Sequence, residues 1–292
     1  MRYFISLSYR GSAYCGWQLQ INRPSVQSEI ERAFSIYLGT EIQITGAGRT
    51  DAGVHAICYV AHFDSSNPIL VQDYPKLIYK INAILPSDIT LFNIFQVPDN
   101  AHARFDAISR TYKYYIHTKK DPFAADFSYF FPYNLDVEKM NLAAGFLLGE
   151  QDFTSMTKLH SNAKTNICTV SEAIWTLCSP LNFSPPNWHN FNQSSFSDTC
   201  IPSMSDASAP SFPDTPTPSF SDSSFCFTIT ANRFLRNMVR AVVGSLLEVG
   251  RGKQEPVWIE EILEQKNRCA AGSSVPAHPL FLTSIEYPYN IF

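Results

Sequence analysis

Strand-like and helix-like patterns interleave along this chain of 292 residues. Several of the strand signals are joined too tightly for a parallel crossover, which takes a dozen or more residues. Apolar and polar residues alternate at 3–9, 41–45, 57–63, 90–97, 110–118, 165–178, 224–231 and 280–286. Helical spacing appears at 26–38, 73–85, 137–148, 232–249 and 257–266. Ser25 and Asp136 stand as N-caps, Gly39, Gly149 and Gly250 as stops; Pro86 ends the second helix and Pro256 starts the last. This mixture predicts an α+β protein on a mostly antiparallel mixed sheet. The order in residues 1–107 is echoed in 108–292, so two related α/β halves are expected, with a boundary near 107. A hydrophobic content of 45% supplies enough apolar surface for a sizeable core.

One stretch stands apart. Residues 179–224 contain no Lys, Arg or Glu and four aspartates, Asp198, Asp206, Asp214 and Asp222, spaced by eight. The unit is an octapeptide: an aromatic residue or Met, then Asp two positions on, then Pro-Ser at the end. Each unit offers one apolar side chain and is otherwise rich in Ser, Pro and Asp, too little to offset chain entropy. It reads as a disordered low-complexity insertion at the tip of a hairpin between strands 165–178 and 224–231. Lengthening such a loop costs only about 0.6 kcal/mol per doubling. The alternative, a binding segment that uses its periodic phenylalanines, rests on the spacing alone. The net charge is −4, and these four aspartates account for all of it. The rest of the chain is neutral overall, so an anionic partner would have to meet basic residues clustered in a cleft.

Seven cysteines without a Cys-x-x-Cys pair argue against a disulfide framework and against structural zinc. A reducing cytoplasm fits them. The first ten residues alternate as a strand does and lack the continuous apolar run of a secretory signal. No stretch reaches the roughly 20 apolar residues of a membrane span.

Chemistry concentrates in Gly46-Ala47-Gly48-Arg49-Thr50-Asp51-Ala52-Gly53-Val54-His55-Ala56. Three glycines frame one arginine and one aspartate ahead of an apolar run, which predicts a tight loop between strands with Asp51 at its tip beside Arg49. A neighbouring cation favours the ionised carboxylate, which suits a nucleophile or a stabiliser of positive charge and suits a general acid poorly. Taken alone, the same string also describes an exposed turn with a surface ion pair worth about 0–1 kcal/mol. His55, beside the loop, is expected to orient it through a hydrogen bond.

Two later segments carry the remaining signals. His102-Ala103-Arg104-Phe105-Asp106-Ala107 leads into Ser109-Arg110-Thr111-Tyr112-Lys113-Tyr114-Tyr115, a strand with Tyr112 and Tyr114 on one face. An aromatic ring next to cations can stack on an extruded base, and it can equally be an ordinary core tyrosine. In the helical pattern 232–249, Arg233, Arg236 and Arg240 follow an i, i+3, i+7 spacing that predicts a cationic stripe. Phosphates or a carboxylate such as Asp51 would relieve its self-repulsion; a solvated face is the alternative.

In this order, the three segments resemble the motifs of the tRNA pseudouridine synthase A family. Arg10-Gly11-Ser12, Tyr14, Gly16-Trp17-Gln18, Asn82, Leu85-Pro86, Leu148-Gly149-Glu150, Asp152-Phe153-Thr154-Ser155 and Ser245-Leu246-Leu247-Glu248-Val249-Gly250 add to the likeness. It covers nearly the whole chain outside 179–224, and the acidic insertion is the departure from it. The resemblance implies the pseudouridine synthase fold. It implies isomerisation of uridine to pseudouridine at nucleotides 38, 39 and 40 of the tRNA anticodon stem-loop, without metal or cofactor, by a cytoplasmic homodimer. It makes Asp51 the catalytic aspartate, Arg49 an RNA contact, Tyr112 the ring stacked on the uracil and Arg240 the partner of Asp51. Three other readings fare worse on the residues. A non-catalytic RNA-binding protein would not need the Arg49–Asp51 loop. A glycosidase would usually need a second carboxylate some 5–9.5 Å from the first. A metal site at Cys58 and His62 would have two same-face groups on a strand and no further ligands.

Overall fold

Strands form at ten places in the computed structural model, which describes residues 1–66, 68–158, 165–178 and 224–288. The strands are β1 (Arg2–Tyr9), β2 (Ile44–Gly46), β3 (His55–Asp64), β4 (Ile89–Val97), β5 (Ser109–His117), β6 (Tyr129–Phe130), β7 (Gly149–Asp152), β8 (Ile167–Leu177), β9 (Ser224–Ala231) and β10 (Leu280–Glu286). The helices are α1 (Val26–Leu38), α2 (Tyr74–Ile84), α3 (Val137–Gly145), α4 (Met238–Gly250) and α5 (Trp258–Gln265).

All ten strands join one sheet in the order β4-β1-β3-β10-β5-β9-β8-β7, with β2 on β3 and β6 on β5. The β3–β10 and β5–β6 pairings are parallel, and the others are antiparallel. The protein is thus the α+β mixed-sheet molecule that the pattern predicts. The octapeptide insertion lies outside the described residues. Its two flanks do pair as a hairpin, down to Leu177 opposite Phe225, with Cys178 N–H donating to the Ser224 carbonyl at 3.0 Å.

The capping signals act as read at two helices. Ser25 accepts from Ser28 N–H, and Gly39 closes α1 with φ 69°, a conformation that costs a glycine little. Asp136 accepts from Lys139 N–H at 3.0 Å.

The predicted helix 232–249 is shorter than its pattern. Residues 232–237 are not helical, and α4 begins at Met238 because Asn237 adopts φ 65°. The backbone groups that a helix would use are engaged elsewhere. The Arg236 carbonyl accepts from Lys158 N–H at 3.1 Å, and Asn232 N–H donates to the Thr169 carbonyl at 3.0 Å. Arg233, Arg236 and Arg240 therefore do not form a stripe on one helix; only Arg240 is helical.

The apolar side chains gather into two main clusters. One unites Tyr3, Ile5, Leu7, Phe34, Tyr59, Phe63 and Ile81 with β10 residues Leu282 and Ile285. The other unites Tyr114, Phe153, Trp175, Phe227, Val242 and Leu246 with Val54. Tyr112 packs against both. The C-terminal strand thus stands between β3 and β5, and the seam between the clusters passes under Tyr112. Cys58 and His62 are buried in β3, as core residues are.

Candidate active site

The loop between β2 and β3 is built from below by three aromatic rings. Trp17 stacks on Tyr59 with centroids 4.0 Å apart, and Tyr9 meets Tyr59 edge-on at 5.5 Å. The two phenols hold the loop. Tyr59 Oη donates to the Gly48 carbonyl, and Tyr9 Oη shares a 2.9 Å hydrogen bond with Thr50 Oγ1. Burial raises the pKa of both phenols, so they stay neutral. Gly16 (φ 91°) runs so close to the Thr50 carbonyl that a Cβ there would collide with it. This is why the Gly16-Trp17 segment matters to a loop more than 30 residues further along.

His55 closes the far side. Its Nδ1 accepts from Gly11 N–H at 3.0 Å, and its ring stacks on Phe281 at 4.6 Å. Burial lowers its pKa to about 4, so near neutral pH the ring is uncharged and Nδ1 is free to accept. A hydrogen bond from His55 that orients the loop is the expectation from the sequence. The bond is there, but it fixes Gly11, against which Val54 of the loop packs.

The structure brings Asp51 together with α4 rather than with Arg49. Arg240 Nη1 stands 3.6 Å from Asp51 Oδ2, and Arg236 Nε stands 3.9 Å from Oδ1. Arg49 turns instead to Gln18, with Nε 3.3 Å from Oε1. The expectation that Arg49 is the cation beside Asp51 is therefore corrected, since the loop's own turn points the two side chains apart. Arg240 is the tighter partner: its side chain is 24% exposed against 65% for Arg236, and solvent screens exposed pairs. Arg240 is also pinned from behind, because its Nε donates to the Val275 carbonyl at 2.7 Å.

These separations exceed hydrogen-bond length, and among the described residues no donor bonds to the Asp51 carboxylate. Its lone pairs face the cleft within reach of two positive charges. The first turn of α4 adds the positive end of a helix dipole. That turn carries no acidic residue, so a side chain from another segment supplies the negative charge usually found there.

The cleft has a volume of about 570 Å³ and is lined by Asp51, Ala52, Lys158, Arg236, Asn237, Arg240 and Arg268. Four cations thus surround one carboxylate, in a space within the usual range for a ligand site. Lys158 and Arg268 escaped the sequence reading. Lys158 has no local motif, and Arg268 sits in the turn after α5, far from the others in sequence. Arg268 donates to the Gly272 carbonyl at 3.1 Å and to Ser274 Oγ at 2.9 Å, and Asn237 Nδ2 donates to the same oxygen at 2.6 Å. This network ties the 271–275 loop to the start of α4.

Tyr112 lies at the seam, half-buried, opposite Leu282 on β10 and Ile229 on β9. Phe234 meets its ring edge-on at 5.0 Å. Burial raises its pKa, with Arg110 opposing and the Asp51 charge adding to the effect, so the phenol is neutral. Arg110, on the same strand, ties the surroundings together. Its Nη2 donates to the Ala47 carbonyl at 3.0 Å and the Arg104 carbonyl at 2.7 Å, and its Nη1 to the Ala107 and Asn232 carbonyls at 3.2 and 2.8 Å. One guanidinium therefore joins the root of the Asp51 loop, the 102–107 turn and the segment before α4. Among the described residues no helix is long and apolar enough to cross a membrane.

Residues 143–288 match the model of a family described as tRNA pseudouridine synthase. The chain is 44% identical to a tRNA pseudouridine synthase A of Bacteroides thetaiotaomicron over 291 residues, covering 100% of this chain and 92% of that protein. It is 44% identical to the one of Parabacteroides distasonis (100% and 98% covered) and 34% identical to one of Francisella tularensis (98% and 94% covered).

Proposed function

This chain belongs to the tRNA pseudouridine synthase A family, a family of isomerases, and from that premise we propose that it acts on uridines 38, 39 and 40 of the tRNA anticodon stem-loop with Asp51 as the catalytic carboxylate. The observation that carries this reading is a carboxylate that has no hydrogen-bond donor among the described residues, set 3.6 Å from Arg240 in a cationic cleft.

The reaction breaks the N1–C1′ bond of uridine, turns the base and forms a C5–C1′ bond. C5 loses its hydrogen as a proton and N1 gains one. Asp51 supports this by attacking the nucleotide or by stabilising positive charge on the ribose; both need an ionised carboxylate with free lone pairs. Arg240 keeps the carboxylate oriented. Tyr112 stacks on the detached uracil and shields the sugar from water. The target nucleotide must leave its stem, at a cost of a few kcal/mol. Phosphate contacts from Lys158, Arg236, Arg268 and the more distant Arg49 offset that cost. The protein works in the cytoplasm as a homodimer, with one tRNA lying across both subunits. The cysteine usage and the family likeness support this.

Tritium release from tRNA carrying 5-tritiated uridine tests the proposal. Wild type releases label into water, and Asp51→Ala releases it more than about 10³-fold more slowly while still binding tRNA. Equal rates would remove Asp51 from the chemistry, and label lost only from uridines outside 38–40 would move the target.

A further inference from the structure

The 102–107 turn is more rigid than its exposure requires. His102 N–H donates to Asp106 Oδ2 at 2.7 Å, and Asp106 N–H returns to the His102 carbonyl at 3.1 Å. Arg104 N–H and Phe105 N–H both lie within bonding distance of His102 Nδ1, at 3.1 and 3.3 Å. Such a turn would serve as a plain connection with any polar residue at its tip. Instead it holds out Phe105, 74% exposed. The ring is braced from behind by His102 at 4.2 Å, which meets His62 at 4.7 Å in the protein interior. The Arg104 guanidinium lies 5.7 Å from the Phe105 centroid.

The turn's position gives the ring a use. Arg110 Nη2 bonds both the Arg104 carbonyl and the Ala47 carbonyl, so the turn and the root of the Asp51 loop share one anchor. From this geometry we infer that Phe105 is a stacking platform for an unpaired nucleobase of the RNA, next to the nucleotide in the Asp51 cleft, with Arg104 meeting the adjoining phosphate. An aromatic face accepts any base, a cation beside it follows the backbone, and the brace removes the entropy cost of ordering the ring on binding. The Arg104 guanidinium beside the ring favours RNA over a second protein surface. The inference rests on the proposed function only in taking RNA as the ligand of the cleft.

The test compares the full-length wild type with Phe105→Ala and Phe105→Trp. The probe is an unmodified tRNA transcript, read by binding anisotropy and by tritium release. Phe105→Ala weakens tRNA binding by about fivefold or more and raises KM more than it lowers kcat. Phe105→Trp restores the affinity, and the melting temperature is the same in all three because the ring is exposed. Unchanged affinity in Phe105→Ala overturns the inference. So does weakened self-association in a sedimentation run with RNA affinity intact, which would make the ring a protein contact. The binding measurement keeps the two readings separable: a wild type that binds tRNA but releases no tritium refutes the proposed reaction and leaves the platform to be judged on affinity.

Discussion

Arg110 shows how one side chain sets the distances that the chemistry needs. It is half-buried, burial lowers its pKa, and its four acceptors come from three separate segments. Removing it takes the donor from the part-buried Ala47 and Ala107 carbonyls, and each polar group left unpaired away from water is costly. Arg110→Ala should therefore destabilise the fold by about 2–4 kcal/mol in urea denaturation. It should also slow turnover, since the Asp51 loop and the segment before α4 would no longer share an anchor. A variant of wild-type stability would show that the carbonyls find water instead. The residue scale is also where the sequence was most and least legible. Asp51 and Tyr112 stood out because glycines and alternation frame them. The true cationic neighbours of Asp51 depend on which way side chains leave a turn, and neighbours in sequence do not determine that. Arg49, two positions away, bonds Gln18, whereas Arg240, 189 positions away, faces the carboxylate.

Among the elements, α4 does the most positioning. Eleven of its residues are buried, so both its sides press on neighbours and its sequence leaves little slack. Gly244 is the tightest point, where a Cβ would run into the Ser273 carbonyl. Gly244→Ala should cost about 1–3 kcal/mol by overpacking. It should also push away the 273–275 loop, whose Val275 carbonyl grips Arg240, so activity should fall further than stability alone explains. Tritium release measured well below the variant's melting range checks this, and full activity there would show that the loop moves without consequence. The late start of α4 relative to the predicted helix is a backbone effect. Phe234 and Leu235 extend the apolar spacing of α4, but their side chains pack from a loop; apolar periodicity does not reveal where a left-handed Asn237 interrupts the backbone. β6 and β7 were missed because strands of two and four residues carry almost no alternation to read.

At the scale of the molecule, the described hairpin between β8 and β9 is closed at its outer end by the Cys178–Ser224 hydrogen bond. β9 spans eight residues, so at about 3.3 Å per residue that end lies some 25 Å from Asn232 and the cleft. Replacing residues 179–223 by a short turn should leave turnover within about twofold and the melting temperature almost unchanged, given the weak dependence of closure entropy on loop length. Steady-state rates and a thermal melt check both, and a collapse of either would mean that the segment contributes to the body. Sheet order was the part of the architecture that the sequence did not disclose. Local patterns located most strands, yet nothing in residues 280–286 says that they pair between strands made some 170 and 220 residues earlier.

That placement also governs how the chain can be assembled. Synthesis runs from β1 towards β10, so β3 and β5 both exist long before the strand that separates them. Until β10 arrives, each presents an open row of backbone donors and acceptors, the kind of edge that recruits foreign strands. Neither the Ala56–Leu282 nor the Leu282–Tyr112 register can form before then. The nascent protein therefore waits with two unsealed margins, and chaperone shelter is most valuable until that closing strand has been made.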